Sequence, residues 1–366
     1  MTFRLKPLAR QTILITGASS GIGLATARMA AARGAAVVLV ARDEPSLDGA
    51  VLGIRDSGGR AEYRVADVAD RDALEAAAAF AEERFGGIDS WVNDAGTSVY
   101  GTLEDTPVED QRRLFETNYW GTVHGSLIAA GRLRARGGAI VNLGSVLSDR
   151  SVIFQGTYCA TKHAVKAFTD ALRMELEAAR APVSVTLIKP AGIDTTFQEH
   201  ARILMDTQGV KVPAPVYDPR LVARAILHAC EHPKRDIVVG GGGAAVSVLG
   251  NLFPRTTDLV MEAVGRRMQV TGHDGRPEMR DNLYEGRPGG HERSSIPTQP
   301  HRRTSLLLEA QLHPAATLAV AAGLGALVLG AMAARRMGDG AMRRMLPPLA
   351  GHLLARAAGH HRPRWR

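Results

Sequence analysis

A doubly wound parallel sheet with helices on both faces is the fold class this sequence predicts, and two observations carry it. Residues 11–240 alternate short β-branched runs with Ala-rich helical stretches, the pattern of repeated strand-helix-strand units. The first of those runs feeds directly into a glycine-rich turn and then a helix, the order such a sheet requires at its ligand-binding edge.

Taken in order, Thr12-Ile13-Leu14-Ile15-Thr16 is an apolar strand, and the Ala-rich stretch 22–33 that follows its glycine turn reads as the first helix. Further strands are expected at 36–40, 62–65, 90–93, 139–143, 183–189 and 236–239, with a helix over 72–85, which makes about seven strands. These elements place one sheet-based domain over about 11–240. After Gly243 the pattern changes. Residues 246–271 read as an amphipathic, basic helical segment, and 272–303, rich in Gly, Pro, Arg and Ser around Asp281-Asn282-Leu283-Tyr284-Glu285, as a flexible linker. Residues 304–366 combine an apolar helix with a basic tail.

Composition narrows the function classes. The chain has 366 residues, 45% hydrophobic and 22% charged, enough for one large domain and an appendage. Its two cysteines, Cys159 and Cys230, suggest neither a disulfide framework nor a metal cluster, and His124, His163 and His228 have no ligand spacing, so no metal is expected. A reducing compartment follows, and with an N-terminus that lacks a secretory signal the expectation is the cytoplasm. Net charge is +8, but the excess collects in arginine pairs of the last third with no nucleic-acid-binding motif, which argues against a nucleic-acid partner. The uncharged run 314–334 is long enough at about 1.5 Å per residue to cross a bilayer. Its Ala and Gly content weakens that reading, as do arginines on its C-terminal side, which would keep both flanks in the cytoplasm. A membrane anchor and a helix packed on another subunit or lying on lipid therefore both stay open.

The glycine turn is Gly17-Ala18-Ser19-Ser20-Gly21-Ile22-Gly23. Gly17 permits the tight turn, Gly21 lets backbone approach a pyrophosphate, Gly23 allows close packing of helix on strand, and the helix N-terminus favours an anion. At the end of the second strand, where enzymes that prefer NAD(H) carry an acidic residue, Ala41 is followed by Arg42. A guanidinium there can pair with a 2′-phosphate, so NADP(H) is expected over NAD(H). In Tyr158-Cys159-Ala160-Thr161-Lys162, a spacing of four puts Tyr158 and Lys162 on one helix face, where the ammonium can lower the pKa of the phenol. Ser145 follows the 139–143 strand and can project from the C-terminal edge of the sheet to bond a substrate oxygen.

The sequence TGASSGIG, with the Tyr158/Lys162 pair downstream, resembles the short-chain dehydrogenases/reductases over roughly residues 8–245. The resemblance implies a tetrad of Asn118, Ser145, Tyr158 and Lys162, with Tyr158 as proton donor and acceptor and Asn118 holding a water that links the lysine to solvent. It implies cofactor contacts from Gly17, Ser19, Ser20, Gly21, Ile22 and Gly23, from Arg42, and from Asp67 and Val68 at the adenine. Asn93 is expected to help hold the central strand and the cofactor side, Ala95, Gly96, Tyr158, Lys162 and Pro190 to contact the cofactor, and Ile193 and Thr195 to meet the carboxamide. The chain departs from the family in having Asp94 where a second Asn is usual. Specificity is expected from 196–217, whose apolar residues point to a lipophilic carbonyl or alcohol, and the family's habit is to form homo-oligomers. The competing reading is a non-catalytic NADP(H)-binding scaffold or redox sensor that docks through its C-terminal segment.

Overall fold

The computed structural model describes residues 3–297, 300–320, 322 and 326–327. Seven parallel strands build the main sheet: β1 (Thr12–Thr16), β2 (Ala36–Ala41), β3 (Arg60–Val65), β4 (Ser90–Asn93), β5 (Gly138–Leu143), β6 (Val183–Pro190) and β7 (Asp236–Val239). Their order is β7-β6-β5-β4-β1-β2-β3, and every neighbouring pair is parallel. The order reverses between β1 and β4, so the loops leaving those two strands diverge and open a crevice at their carboxyl ends.

Both faces of the sheet are covered, and the period of two divides the strand side chains between them. Ile13, Ile15, Val37 and Leu39 pack into one apolar cluster with Leu24 of α1 (Gly21–Ala32) and Leu47 of α2 (Glu44–Asp56). Leu14, Val38 and Val40 turn to the other, with Leu74 of α3 (Arg71–Phe85). Next come α4 (Val108–Phe115), a π-helical turn at Glu116–Trp120, and α5 (Gly121–Leu133), which adds Ile128 and Leu133 to the second cluster. After β5 the chain forms α6 (Gly156–Ala178), which carries Tyr158 and Lys162 on a buried face. The short α7 (Phe197–His200) precedes α8 (Pro219–Glu231), whose apolar face packs on the first cluster.

The body does not end near residue 245, as composition suggests. It runs to Leu312, and His313–Arg366 forms a separate unit. Residues 241–269 form two helices, α9 (Gly241–Leu252) and α10 (Pro254–Gln269), broken where Pro254 cannot continue the first. Val270–Thr271 pairs antiparallel with Gly209–Val210. The expected linker at 272–303 lies packed against the body. Glu199, its side chain fully buried, accepts hydrogen bonds from Arg276 N–H (2.8 Å), Ser295 N–H (2.8 Å) and Ser295 Oγ (2.6 Å). The last helix of the body, α11 (Leu306–Leu312), shields the sheet edge, where the Gln311 amide accepts from Val238 N–H (2.9 Å) and donates to Val238 O (2.8 Å).

The membrane-associated location expected from 314–334 is corrected as well. Among the described residues no helix is long and apolar enough to cross a membrane. Residues 314–320 are helical and exposed, whereas 321, 323–325 and 328–334 lie outside the described residues.

Candidate active site

The loop after β1 is forced into its shape by packing. Gly17 has φ 71°, a left-handed conformation that glycine adopts without strain, and a Cβ there would stand 2.8 Å from Ala95 backbone. At Gly23 a Cβ would stand 2.3 Å from Gly17 O, so α1 can sit this close to the strand only without a side chain. Thr16 ties the two crevice loops together, its hydroxyl accepting from the N–H groups of Asp94 (3.2 Å) and Ala95 (3.3 Å).

A cavity of about 370 Å³ runs along the crevice. It is lined at one end by Ser19, Ser20, Gly21, Ile22, Arg42, Asp67 and Val68, and further on by Gly17, Ala95, Gly96, Lys162, Tyr158 and Ser145. Pro190, Ile193 and Thr195, from the end of β6 and the loop after it, complete that section. Gly23 lies beneath the loop, and Asn93 and Asn118 also stay off the cavity wall.

Asn93 therefore does not face a ligand. Its amide donates to Asn142 Oδ1 (2.8 Å) and Ser126 Oγ (3.0 Å), and its Oδ1 accepts from Trp91 Nε1 (2.7 Å). That buried network holds β4 to β5 and α5. Asn118 sits in the π-turn, the irregularity that lets its side chain leave the helical pattern. Its Oδ1 accepts from Thr97 N–H (3.0 Å), and its Nδ2 donates to Thr97 O (3.0 Å) and Thr161 Oγ1 (3.1 Å). The amide is thus spent on fixing the loop after β4 to α6.

Ser145 caps the short helical turn Val146–Ser148, its Oγ accepting from Leu147 N–H (3.0 Å), which leaves the hydroxyl proton free to point at Tyr158. Burial holds the Tyr158 phenol well above its ordinary range, and the hydrogen bond from Ser145 offsets only part of that. Lys162 Nζ donates to Leu143 O (2.7 Å) and lies 5.8 Å from the Tyr158 ring centre. The lowering of the phenol expected from this ammonium is not seen: desolvation dominates, and the hydrogen bond from Ser145 is what opposes it. Burial also brings Lys162 down to about 8, against the pull of Asp94. Asp94 itself, half-buried and accepting from Gly23 N–H, is pushed up to about 7 by desolvation, which Lys162 and that N–H oppose.

At the far end Arg42 and Arg113 flank Asp67. Arg113 is in direct contact with the carboxylate, and Arg42 Nη1 is 3.9 Å away. Burial raises the Asp67 carboxyl, but the Ala69 N–H and the two guanidiniums outweigh it and hold the group below the usual range. Arg113, on α4 and 90 positions after Gly23, carries no sequence signal for this placement. The same is true of Val246, Met261 and Met268, which wall the cavity beyond Tyr158 together with Leu147, Val152 and Val212.

Comparison with known proteins agrees with this geometry. The family model described as short chain dehydrogenase matches residues 11–204. The uncharacterized oxidoreductase YxnA of Bacillus subtilis is 42% identical over 323 residues, which cover 88% of this chain and 90% of that protein. The putative oxidoreductase SadH of Mycobacterium tuberculosis is 32% identical over 257 residues, 70% of this chain and 91% of that protein. Among solved structures, an alcohol dehydrogenase from the archaeon Thermococcus sibiricus, complexed with 5-hydroxy-NADP, superposes with a TM-score of 0.55 at 25% identity, covering 63% of this chain and 95% of that one. With a family match over more than half its length and a relative this similar across nearly all of it, the chain belongs to the short-chain dehydrogenase family.

Proposed function

We propose that this protein is an NADP(H)-dependent oxidoreductase that interconverts a lipophilic carbonyl compound and its alcohol. The observation that carries the reading is a single cavity that joins the glycine loop to Ser145, Tyr158 and Lys162 and then to an apolar wall. The residues present fit a dinucleotide: a turn that no side chain could share, a helix N-terminus behind it, and guanidiniums at the adenosine end. Ser19, Ser20 and Ile22 would hold its phosphates, Arg42 a 2′-phosphate, and Ile193 and Thr195 its carboxamide. The bound cofactor supplies the hydride.

The chain supplies the proton. Ser145 orients the substrate oxygen by donating to it, and the Tyr158 hydroxyl gives its proton to that oxygen as the carbonyl is reduced. Because burial keeps the phenol protonated, the acid needed for reduction is in its working form across the neutral range. Lys162 holds positive charge near the phenolate that forms. The apolar residues beyond Tyr158 exclude water and favour a lipophilic substrate.

The reading is tested by following NADPH and NADH consumption against aliphatic, aromatic, steroidal and acyl ketones. Turnover that prefers NADPH supports it, and dinucleotide binding with no turnover on any ketone would leave a binding protein instead. Arg42→Ala is expected to raise the Kd for NADPH about 10- to 100-fold, from the loss of one charge-assisted phosphate contact, and to change the Kd for NADH less than threefold. Equal losses for both cofactors, measured by fluorescence titration, would remove Arg42 from 2′-phosphate recognition.

A further inference from the structure

The stretch 281–293, outside the part of the chain that the family model matches, crosses the adenosine end of the crevice and is fastened at both sides. On one side, Asn282 N–H donates to His200 O (3.0 Å), Thr97 Oγ1 donates to Asn282 Oδ1 (2.6 Å), and the fully buried Leu283 accepts from Arg113 Nε at its carbonyl (3.0 Å). Tyr284 completes this anchor through Asp110 Oδ1 (2.8 Å). On the other side, Glu292 pairs with Arg28 (2.9 Å) and Arg220 (3.0 Å), and Arg293 with Asp218.

Between these anchors the backbone lies on residues assigned above to the cofactor. Gly290 N–H donates to Ser19 O (2.7 Å), and Gly21 N–H, at the start of α1, donates to His291 O (2.9 Å). Arg42 donates to the carbonyls of Asn282 and, at 3.1 Å, Tyr284. Glycine is needed for this fit: a Cβ on Gly289 would stand 2.6 Å from Ser19 O, and one on Gly286 would stand 3.0 Å from Arg42 Cβ. The segment roofs the crevice without filling it, because the cavity continues beneath and takes Asn282, Gly286 and Arg287 as part of its lining.

We propose that residues 281–293 are a strap that retains the dinucleotide, so that cofactor enters and leaves only when the strap lifts from the glycine loop. The proposal rests on the cofactor reading given above. Main-chain bonds to Ser19 and Gly21, and the double contact to Arg42, tie the strap to the groups that would hold phosphate. Lifting it must break these contacts together, so exchange is slow compared with entry into an open crevice. The strap also fixes the Arg42 side chain before any ligand arrives, which saves the entropy of ordering it on binding.

The test is the NADPH dissociation rate of the full-length protein, measured by stopped-flow fluorescence with excess NADP⁺ as trap. Gly289→Val, which cannot seat against Ser19, is expected to release NADPH at least tenfold faster than the natural chain, and Glu292→Gln, which weakens one anchor, by a few-fold. Hydrogen exchange on the natural chain supplies a readout that needs no variant: the amides of Gly21 and Gly290 should be protected and become more so with NADPH bound. Unchanged dissociation in Glu292→Gln together with rapid exchange at both amides would overturn the strap, whether or not Gly289→Val folds. Failure of the natural chain to bind NADPH at all would instead overturn the cofactor reading, and the strap with it.

Discussion

Replacing Tyr158 with Phe is expected to lower kcat for ketone reduction by about a thousandfold, within the range that removal of a positioned general acid produces, while the Kd for NADPH stays within about threefold. The ring is kept, and with it the edge-on packing against Phe197 at 5.7 Å, so the loss isolates the hydroxyl. The environment of that hydroxyl also sets the pH dependence. Oxidation of an alcohol needs the phenolate, which burial disfavours, so its rate should climb with pH throughout the neutral and mildly alkaline range without reaching a plateau. Reduction needs the phenol, which is protonated throughout, so its rate should stay flat until Lys162 loses its proton at about 8 and then fall. Steady-state rates in both directions from pH 6 to 10 check this, and a reduction profile that rises with pH would remove Tyr158 from the role of acid.

Much of the crevice was legible because its signals are local. Glycine spacing after an apolar strand, and a tyrosine and lysine one helical turn apart, declare geometry within a few residues. Residues whose roles depend on where distant segments return were not legible in the same way. Asn93 and Asn118 stand where a ligand-facing amide would be sensible, yet each is turned inward by partners that include residues 33 and 49 positions away for Asn93 and 21 and 43 away for Asn118. The strap was read as a linker because glycine, proline and arginine carry no hydrophobic period. Its order comes from main-chain bonds to loops and from distant side chains such as Asp110, Arg113 and Arg28, neither of which leaves a pattern in its own sequence. Helices α9 and α10 showed their amphipathic character, but not that one edge would wall the substrate end of the cavity. The apolar run at 314–334 shows the opposite failure, in which length and lack of charge suggested a span that no described helix has the length and apolarity to make.

Lys162→Met is expected to reduce kcat/KM for reduction by about a hundredfold or more, a loss of the size expected when a cation no longer stabilises charge developing in a water-excluded site. It should also abolish the fall in rate near pH 8, because the group responsible for that fall is gone. The larger consequence concerns Asp94, which this chain has in place of the usual amide. Desolvation holds its carboxyl at about 7, and the charge of Lys162, with the Gly23 N–H, keeps it from rising further. A Cβ on Gly23 would lie 2.9 Å from Asp94 Oδ2, so the carboxyl sits under the same loop that would receive the phosphates. Above pH 7 it becomes an anion there, and an anionic dinucleotide must bind against it. The sign follows: NADPH affinity should weaken as pH rises through 7, by up to about tenfold if the two charges interact by about 1.4 kcal/mol. Asp94→Asn should bind NADPH with no such dependence, and in Lys162→Met the weakening should move to higher pH because the carboxyl then ionises later. Fluorescence titrations from pH 6 to 9 on the three proteins decide the matter, and an Asp94→Asn curve that tracks the natural chain would show that Asp94 takes no part in cofactor binding.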